Sequence, residues 1–267
     1  MGRIEDGFAD LKREDRRALI PFITAGDPDL RTTELLLVEL ARAGADLIEV
    51  GVPFSDPVAD GPVIQRASER ALHNGVTLSA LLDCLAAFRK RSEIPIILFS
   101  YFNPLLQFGL ERLASQARSA GVDGILVTDL IPEEAGDWEE ILRANAIDPI
   151  FLVAPTTSDA RLGQISARAR GFIYAISRTG VTGVREEMTG ASEELVRRVR
   201  RCTDLPVAVG FGVTTARHLR DIWRYADGAV VGSAIVREIE RGGSDDQVVR
   251  RVGEFVRGLL RPETNDA

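Results

Sequence analysis

The segment EVGVPFSDPVADGPVIQ, residues 49–65, holds two carboxylates in different settings, Glu49 inside a β-branched run and Asp60 in the turn-rich stretch after it. Side chains on a strand point to opposite faces in turn. In DLIEVGVP, Ile48, Val50 and Val52 therefore share one face, and Leu47, Glu49 and Gly51 share the other. If the apolar set meets a layer of helices, Glu49 points into the middle of the sheet structure. Burial there disfavours the charged form and raises the pKa, so the carboxyl could hold or deliver a proton near neutral pH. The competing readings are a Glu paired with a buried Arg or Lys, or one on an exposed edge. Asp60 taken alone reads as a turn residue. Both carboxylates together, one at the end of a strand and one in the loop beyond, read as an acid/base site.

Three later turns are rich in Gly and small hydroxyl residues: SRTGVTG at 177–183, GFG at 210–212 and GSA at 232–234. The last two follow the seventh and eighth strand candidates. Gly212 and Gly232 would let backbone N–H groups approach an anion closely, and Ser233 could cap a helix or contact phosphate. The segment starting at Ser177 is long for a connection and has two glycines to hinge it, as lids do. Arg178 and Thr182 are expected to reach the site on closure, with a surface charge as the alternative for Arg178.

These residues need a scaffold that sets strand ends side by side. Eight short runs supply it: ALIPFITAG, DLIEVGVP, IPIILFSY, GILVTDL, DPIFLVAP, GFIYAIS, LPVAVGFG and DGAVVGS. Between them, apolar residues recur at helical spacing, as in Leu36, Leu37, Leu40 and Ala41, or Leu78, Leu81, Leu82 and Leu85. Eight strand and helix units match a single α/β domain over 1–267, a (β/α)8 TIM barrel with extra short helices. A doubly wound open sheet is the alternative. An extra helical segment over residues 63–74 follows the second strand, where barrels build sites. The polar tail, 261–267, is expected to fray.

The chain has 267 residues, 45% hydrophobic and 27% charged, an ordinary globular composition. Its 33 basic and 40 acidic residues leave a net charge of -7, which argues against nucleic acid or an anionic membrane as the main partner. No apolar run approaches the roughly 20 residues of a membrane span, and the N-terminus lacks the apolar core of a secretory signal. Cys84 and Cys202, both read as helical, lie far apart and suggest neither a disulfide framework nor a metal site, which fits a cytoplasmic protein. His73 and His218 read as surface or helix-end residues.

Taken in order, PFITAGDP, EVGVPFSDPVADGPVIQRA, SRTGVTG, GFGV and VGSA resemble the α subunit of tryptophan synthase across nearly the whole chain. The resemblance implies a barrel enzyme, a lyase that cleaves indole-3-glycerol phosphate to indole and glyceraldehyde 3-phosphate in tryptophan biosynthesis. It implies no cofactor in this subunit, with pyridoxal phosphate in a partner β subunit of an α2β2 complex. By the same resemblance Glu49 is the general acid/base and Asp60 holds the indole N–H. Thr182 and Gly183 match the closing loop, and Gly183, Gly212, Gly232 and Ser233 match the phosphate cradle. Phe22, Tyr101, Leu126 and Tyr174 stand where the family lines its indole pocket, with barrel core as their other reading. TDLIPEEA, with Thr128 and Ile131, and FSYFNP, with Phe99 and Phe102, depart from the family pattern and should reshape the pocket wall and docking surface. Other readings are a sugar-phosphate isomerase or epimerase on the same scaffold, and a barrel kept only to activate a partner.

Overall fold

Burial along the strands sorts their side chains into two shells. The structure, a computed structural model, describes residues 2–176, 185–210 and 212–261, with backbone alone for 185–189. Among these, eight parallel strands close into a barrel in chain order: β1 (Ala18–Thr24), β2 (Ile48–Gly51), β3 (Ile96–Ser100), β4 (Gly124–Val127), β5 (Asp148–Val153), β6 (Ile173–Ile176), β7 (Val207–Gly210) and β8 (Gly228–Val231). All eight runs seen in the sequence are strands, and the closed ring rules out the open sheet.

The outward face of each strand, such as Ile48 and Val50 on β2 or Ile96 and Leu98 on β3, packs against the helices. These are α2 (Leu30–Arg42), α4 (Leu78–Arg89), α6 (Leu110–Ser119), α7 (Gly136–Ala144), α8 (Asp159–Arg168), α9 (Arg185–Arg200), α10 (Ala216–Trp223) and α12 (Asp245–Leu260). The extra short helices are α3 (Pro62–His73), at the position expected, α5 (Phe102–Phe108) and α11 (Ser233–Glu240). Each follows a strand, so all three stand at the C-terminal mouth of the barrel.

The inward face forms a second cluster that includes Ile20, Phe22, Ile97, Leu126, Phe172 and Tyr174. One element closes its other end. In α1 (Arg3–Arg13), Ile4, Phe8 and Leu11 follow helical spacing and join the interior cluster, and the Phe8 ring lies 5.7 Å from Phe172. Sequence reading took the N-terminus only as a mixed-charge segment, yet its apolar stripe plugs the barrel.

Cys202 is a correction. It lies in the exposed turn after α9, where Thr203 Oγ1 accepts from the Leu205 amide and favours a turn over another helical residue. Cys84 is helical and buried, and both thiols are free. His73 ends α3, and His218 sits in the first turn of α10 with its ring against Thr214. No single helix among the described residues is long and apolar enough to cross a membrane. Residues 262–267 of the tail lie outside the described residues.

Charge at the strands' N-terminal end is paired. Asp123 accepts from Arg89 Nη2 at 3.0 Å, from Arg3 Nη1 at 3.1 Å and from the Ile96 amide at 2.9 Å. Burial pulls the Arg89 guanidinium below its ordinary pKa, and Asp123 works against that loss. Asp123→Ala strands a largely buried cation, so the unfolding free energy should fall by about 3–5 kcal/mol in a urea titration.

Candidate active site

Glu49 stands in the middle of β2, paired in register with Phe22 on β1 and Ile97 on β3. Both neighbours face the barrel interior, and so does Glu49, as the alternation requires. It is fully buried, and neither carboxylate oxygen has a hydrogen-bond partner among the described residues. None of those residues makes it half of a buried ion pair. Loss of solvent alone lifts its pKa from 4.5 to about 8. At neutral pH the group is therefore mostly the neutral acid.

Asp60 is held differently. The Tyr101 hydroxyl donates to its Oδ2 at 3.1 Å and accepts from the Ala59 amide at 2.9 Å, so one phenol ties down both ends of the turn. Gln65 Nε2, from the first turns of α3, donates to the Asp60 carbonyl at 2.9 Å. Burial raises the Asp60 pKa from 3.8 to about 6, while the Tyr101 hydrogen bond pulls it back down. At neutral pH this carboxyl is mostly ionised. Two carboxyls at one strand end thus rest in opposite protonation states, a division of acid and anion set by environment.

Tyr174 joins them. Its phenol is pushed well above 10, first by burial and then by the negative charge of Glu49 and Asp60, so both carboxyls act on one hydroxyl. Phe22, Leu126 and Tyr174 face the interior as expected. Tyr101, buried at the end of β3, does more than line a wall, since it positions Asp60. Sequence reasoning missed that bond because it joins residues far apart in the chain.

Phe99, which the sequence reading placed at the pocket wall, lies edge-on to Phe22 with centroids 5.4 Å apart and reaches Tyr174 at 6.5 Å. Strand alternation puts Ile97, Phe99 and Tyr101 on one face. Two other parts of the site were not singled out in sequence. Phe54 covers the Tyr101 ring at 5.1 Å. The Thr24 hydroxyl, buried on the inward face at the end of β1, has no hydrogen-bond partner among the described residues. Two glycines make room for these rings. A Cβ on Gly51 would sit 2.6 Å from Phe22 Cζ, and one on Gly210 would overlap the Tyr174 hydroxyl. Of the other residues that depart from the expected pattern, Thr128 Oγ1 donates to the Ser100 carbonyl at 3.3 Å, and Phe102 packs outward.

On the far side of the mouth, Gly212 follows β7 with φ +75, a left-handed conformation suited to glycine, and open space lies where its Cβ would be. Gly232 follows β8 and is the N-cap of α11. Ser233 is therefore the first helical residue and not the cap, which corrects one of its two expected roles. Because β7 and β8 are neighbours, Gly212 and the start of α11 stand together and offer backbone N–H groups to an anion. Arg178, Thr182 and Gly183 lie outside the described residues.

A profile of the family described as tryptophan synthase alpha chain matches residues 8–261. A tryptophan synthase alpha chain from Citrifermentans bemidjiense is 47% identical over 97% of each chain. One from Roseiflexus castenholzii is 48% identical over 98% of this chain and all of its own. Among solved structures, the tryptophan synthase alpha chain of Legionella pneumophila superposes with a TM-score of 0.89 at 35% identity, covering 97% of this chain and 96% of its own. A chain from the tryptophan synthase α2β2 complex of Pyrococcus furiosus gives 0.85 at 41% identity, covering 91% and 97%.

The raised pKa of Glu49 has a stability signature. Between pH 4.5 and 8 the unfolded chain ionises this group while the folded chain keeps it protonated, so stability falls as pH rises through that window. Glu49→Gln removes the penalty. Its advantage over wild type in urea unfolding should grow by about 3 kcal/mol from pH 5 to pH 8.

Proposed function

The chain belongs to the tryptophan synthase alpha chain family, and we infer that Glu49 and Asp60 carry out the family's reaction at the mouth of its barrel. That reaction is the retro-aldol cleavage of indole-3-glycerol phosphate to indole and glyceraldehyde 3-phosphate, a carbon–carbon lyase step in L-tryptophan biosynthesis. The observation that carries the assignment is the fully buried Glu49 carboxyl, unpaired among the described residues and neutral at physiological pH.

The steps follow from the two protonation states. Neutral Glu49 delivers its proton to indole C3, which makes the ring a leaving group and leaves positive charge on the indole nitrogen. Ionised Asp60, positioned by Tyr101, accepts the indole N–H and stabilises that charge. The Glu49 carboxylate then takes the proton of the hydroxyl next to the breaking bond. As the carbonyl forms, the C–C electrons return to the ring and Glu49 is again the neutral acid. Phe22, Phe99, Leu126 and Tyr174 supply an apolar, aromatic-lined space for indole, while Gly212, Gly232 and Ser233 hold the phosphate. The family resemblance assigns Gly183 and Thr182, and the sequence reading assigns Arg178, to substrate binding as well; all three lie outside the described residues.

The partner is a β subunit in an α2β2 assembly, and pyridoxal phosphate belongs to that subunit, since proton transfer between carboxyls and substrate asks for no cofactor in this chain. Three exposed apolar side chains support a covering partner: Val58 at 85% exposure, Leu106 at 50% and Ile131 at 43%. They follow the adjacent strands β2, β3 and β4, so they share the mouth of the barrel. Ile131, a departure from the family pattern, belongs to this rim. Two free thiols fit a cytoplasmic setting.

Glu49→Gln should lower indole formation from indole-3-glycerol phosphate by about 10²- to 10⁴-fold with the fold intact, followed by ultraviolet absorbance with and without a β subunit. Near-wild-type turnover in this variant sinks the role given to Glu49. No indole from the wild-type chain in either condition sinks the reaction.

A further inference from the structure

Four charged side chains form a cluster beside the mouth that the cleavage chemistry does not use. Arg70 of α3 grips Asp27, in the loop after β1, through Nε to Oδ1 and Nη2 to Oδ2, each 2.8 Å. Asp27 is only 1% exposed. Through Nη1 the same guanidinium donates to Glu240 Oε1 at 3.1 Å. Arg66, one helical turn earlier on the same face, donates to both Glu240 oxygens at 2.6 and 2.9 Å. Asn74, the C-cap of α3, donates to the Pro28 carbonyl at 2.6 Å.

Glu240 is the last residue of α11, where the helix dipole disfavours a carboxylate. The two guanidiniums account for its presence there, and α3 is the helix that needs them. Its fully buried residues are small, Ala67, Ser68 and Ala71, and its larger apolar residues, Val63 and Ile64, are only partly buried against the interior cluster, so it buries less apolar surface than α11. The start of α3 carries Asp60: Gly61 is its N-cap, and Gln65, beside Arg66, donates to the Asp60 carbonyl. By contrast α11 buries Ala234, Ile235, Val236 and Ile239, so its phosphate-facing start is fixed by packing.

We propose that the Asp27, Arg70, Glu240 and Arg66 cluster is a clamp that docks α3 onto α11 and so sets Asp60 in register with the phosphate end of the site. Arg70 and Glu240 are positioning residues, touching neither substrate nor reacting atoms. The proposal rests on the reading of Asp60 as a group acting in the cleavage. A loosened clamp lets Asp60 shift while the phosphate stays held, so the loss falls on kcat more than on KM.

The test is a double-mutant cycle on the full chain, with kcat and KM for indole formation measured in wild type, Glu240→Gln, Asp60→Asn and the double variant, alongside thermal unfolding. Glu240→Gln should lower kcat about tenfold and change KM less than about twofold; with Asn at position 60 it should change kcat less than about twofold, because the positioned group is gone. Equal losses in both backgrounds, or an unchanged kcat in Glu240→Gln, overturn the clamp while leaving the reaction standing. Wild-type chain that forms no indole overturns the reaction and the clamp with it. Arg70→Met should reproduce the Glu240→Gln pattern; if it does not fold, Arg66→Met, which leaves the pair of Arg70 and buried Asp27 intact, should reproduce it more weakly, and an unchanged kcat in Arg66→Met counts against the clamp.

Discussion

A carboxyl group sealed inside a closed barrel, with no partner among the described residues, is the constraint on which the rest of this structure depends. An isolated buried carboxylate costs far more than a protein can spare, so the group stays neutral, and its pKa settles near 8. That outcome requires water to be kept out from every side. The outer helices cover the strands, α1 plugs the N-terminal end through Ile4, Phe8 and Leu11, and the rings of Phe22, Phe99 and Tyr174 fill the interior beside Glu49. Gly51 and Gly210 belong to the same design, because only a missing Cβ lets Phe22 and Tyr174 lie where they do.

The two ends of the barrel treat charge in opposite ways. At the N-terminal end, Asp123 is met by Arg89, Arg3 and a backbone amide, an arrangement that serves stability. At the C-terminal end, among the described residues, Glu49 has no partner and Asp60 has a phenol in place of a cation. Ion pairs would hold both carboxyls ionised, leaving no proton to deliver. Neutral burial for one and a single neutral donor for the other keep their pKa values about two apart, which separates an acid from an anion at physiological pH.

Much of this was legible along the chain because it follows from short-range periodicity. Eight β-branched runs separated by helical spacing led to eight strands in a ring, and the alternation around Glu49 told which way its side chain points. The Gly and Ser residues after the last two strands led to the start of α11. What stayed hidden was carried by contacts between distant segments. Tyr101 could be placed on a wall but not on Asp60, and nothing in the local sequence of Arg66 and Arg70 shows that Asp27 and Glu240 stand opposite them. The N-terminal helix hid its stripe among charges, and its role as a plug exists only once a barrel end is there to fill.

By itself, then, the sequence determined the number and order of the strand and helix units, the inward face of Glu49, and the family motifs around it, since each is written within one or two turns of local chain. The tertiary structure alone decided that Glu49 meets no counter-ion among the described residues, that Tyr101 holds Asp60, that Gly232 and not Ser233 caps α11, and that α3 is tied to α11 through Glu240. Each of these depends on which residues meet across the closed ring. Desolvation and pairing are properties of that meeting, so no single segment contains them.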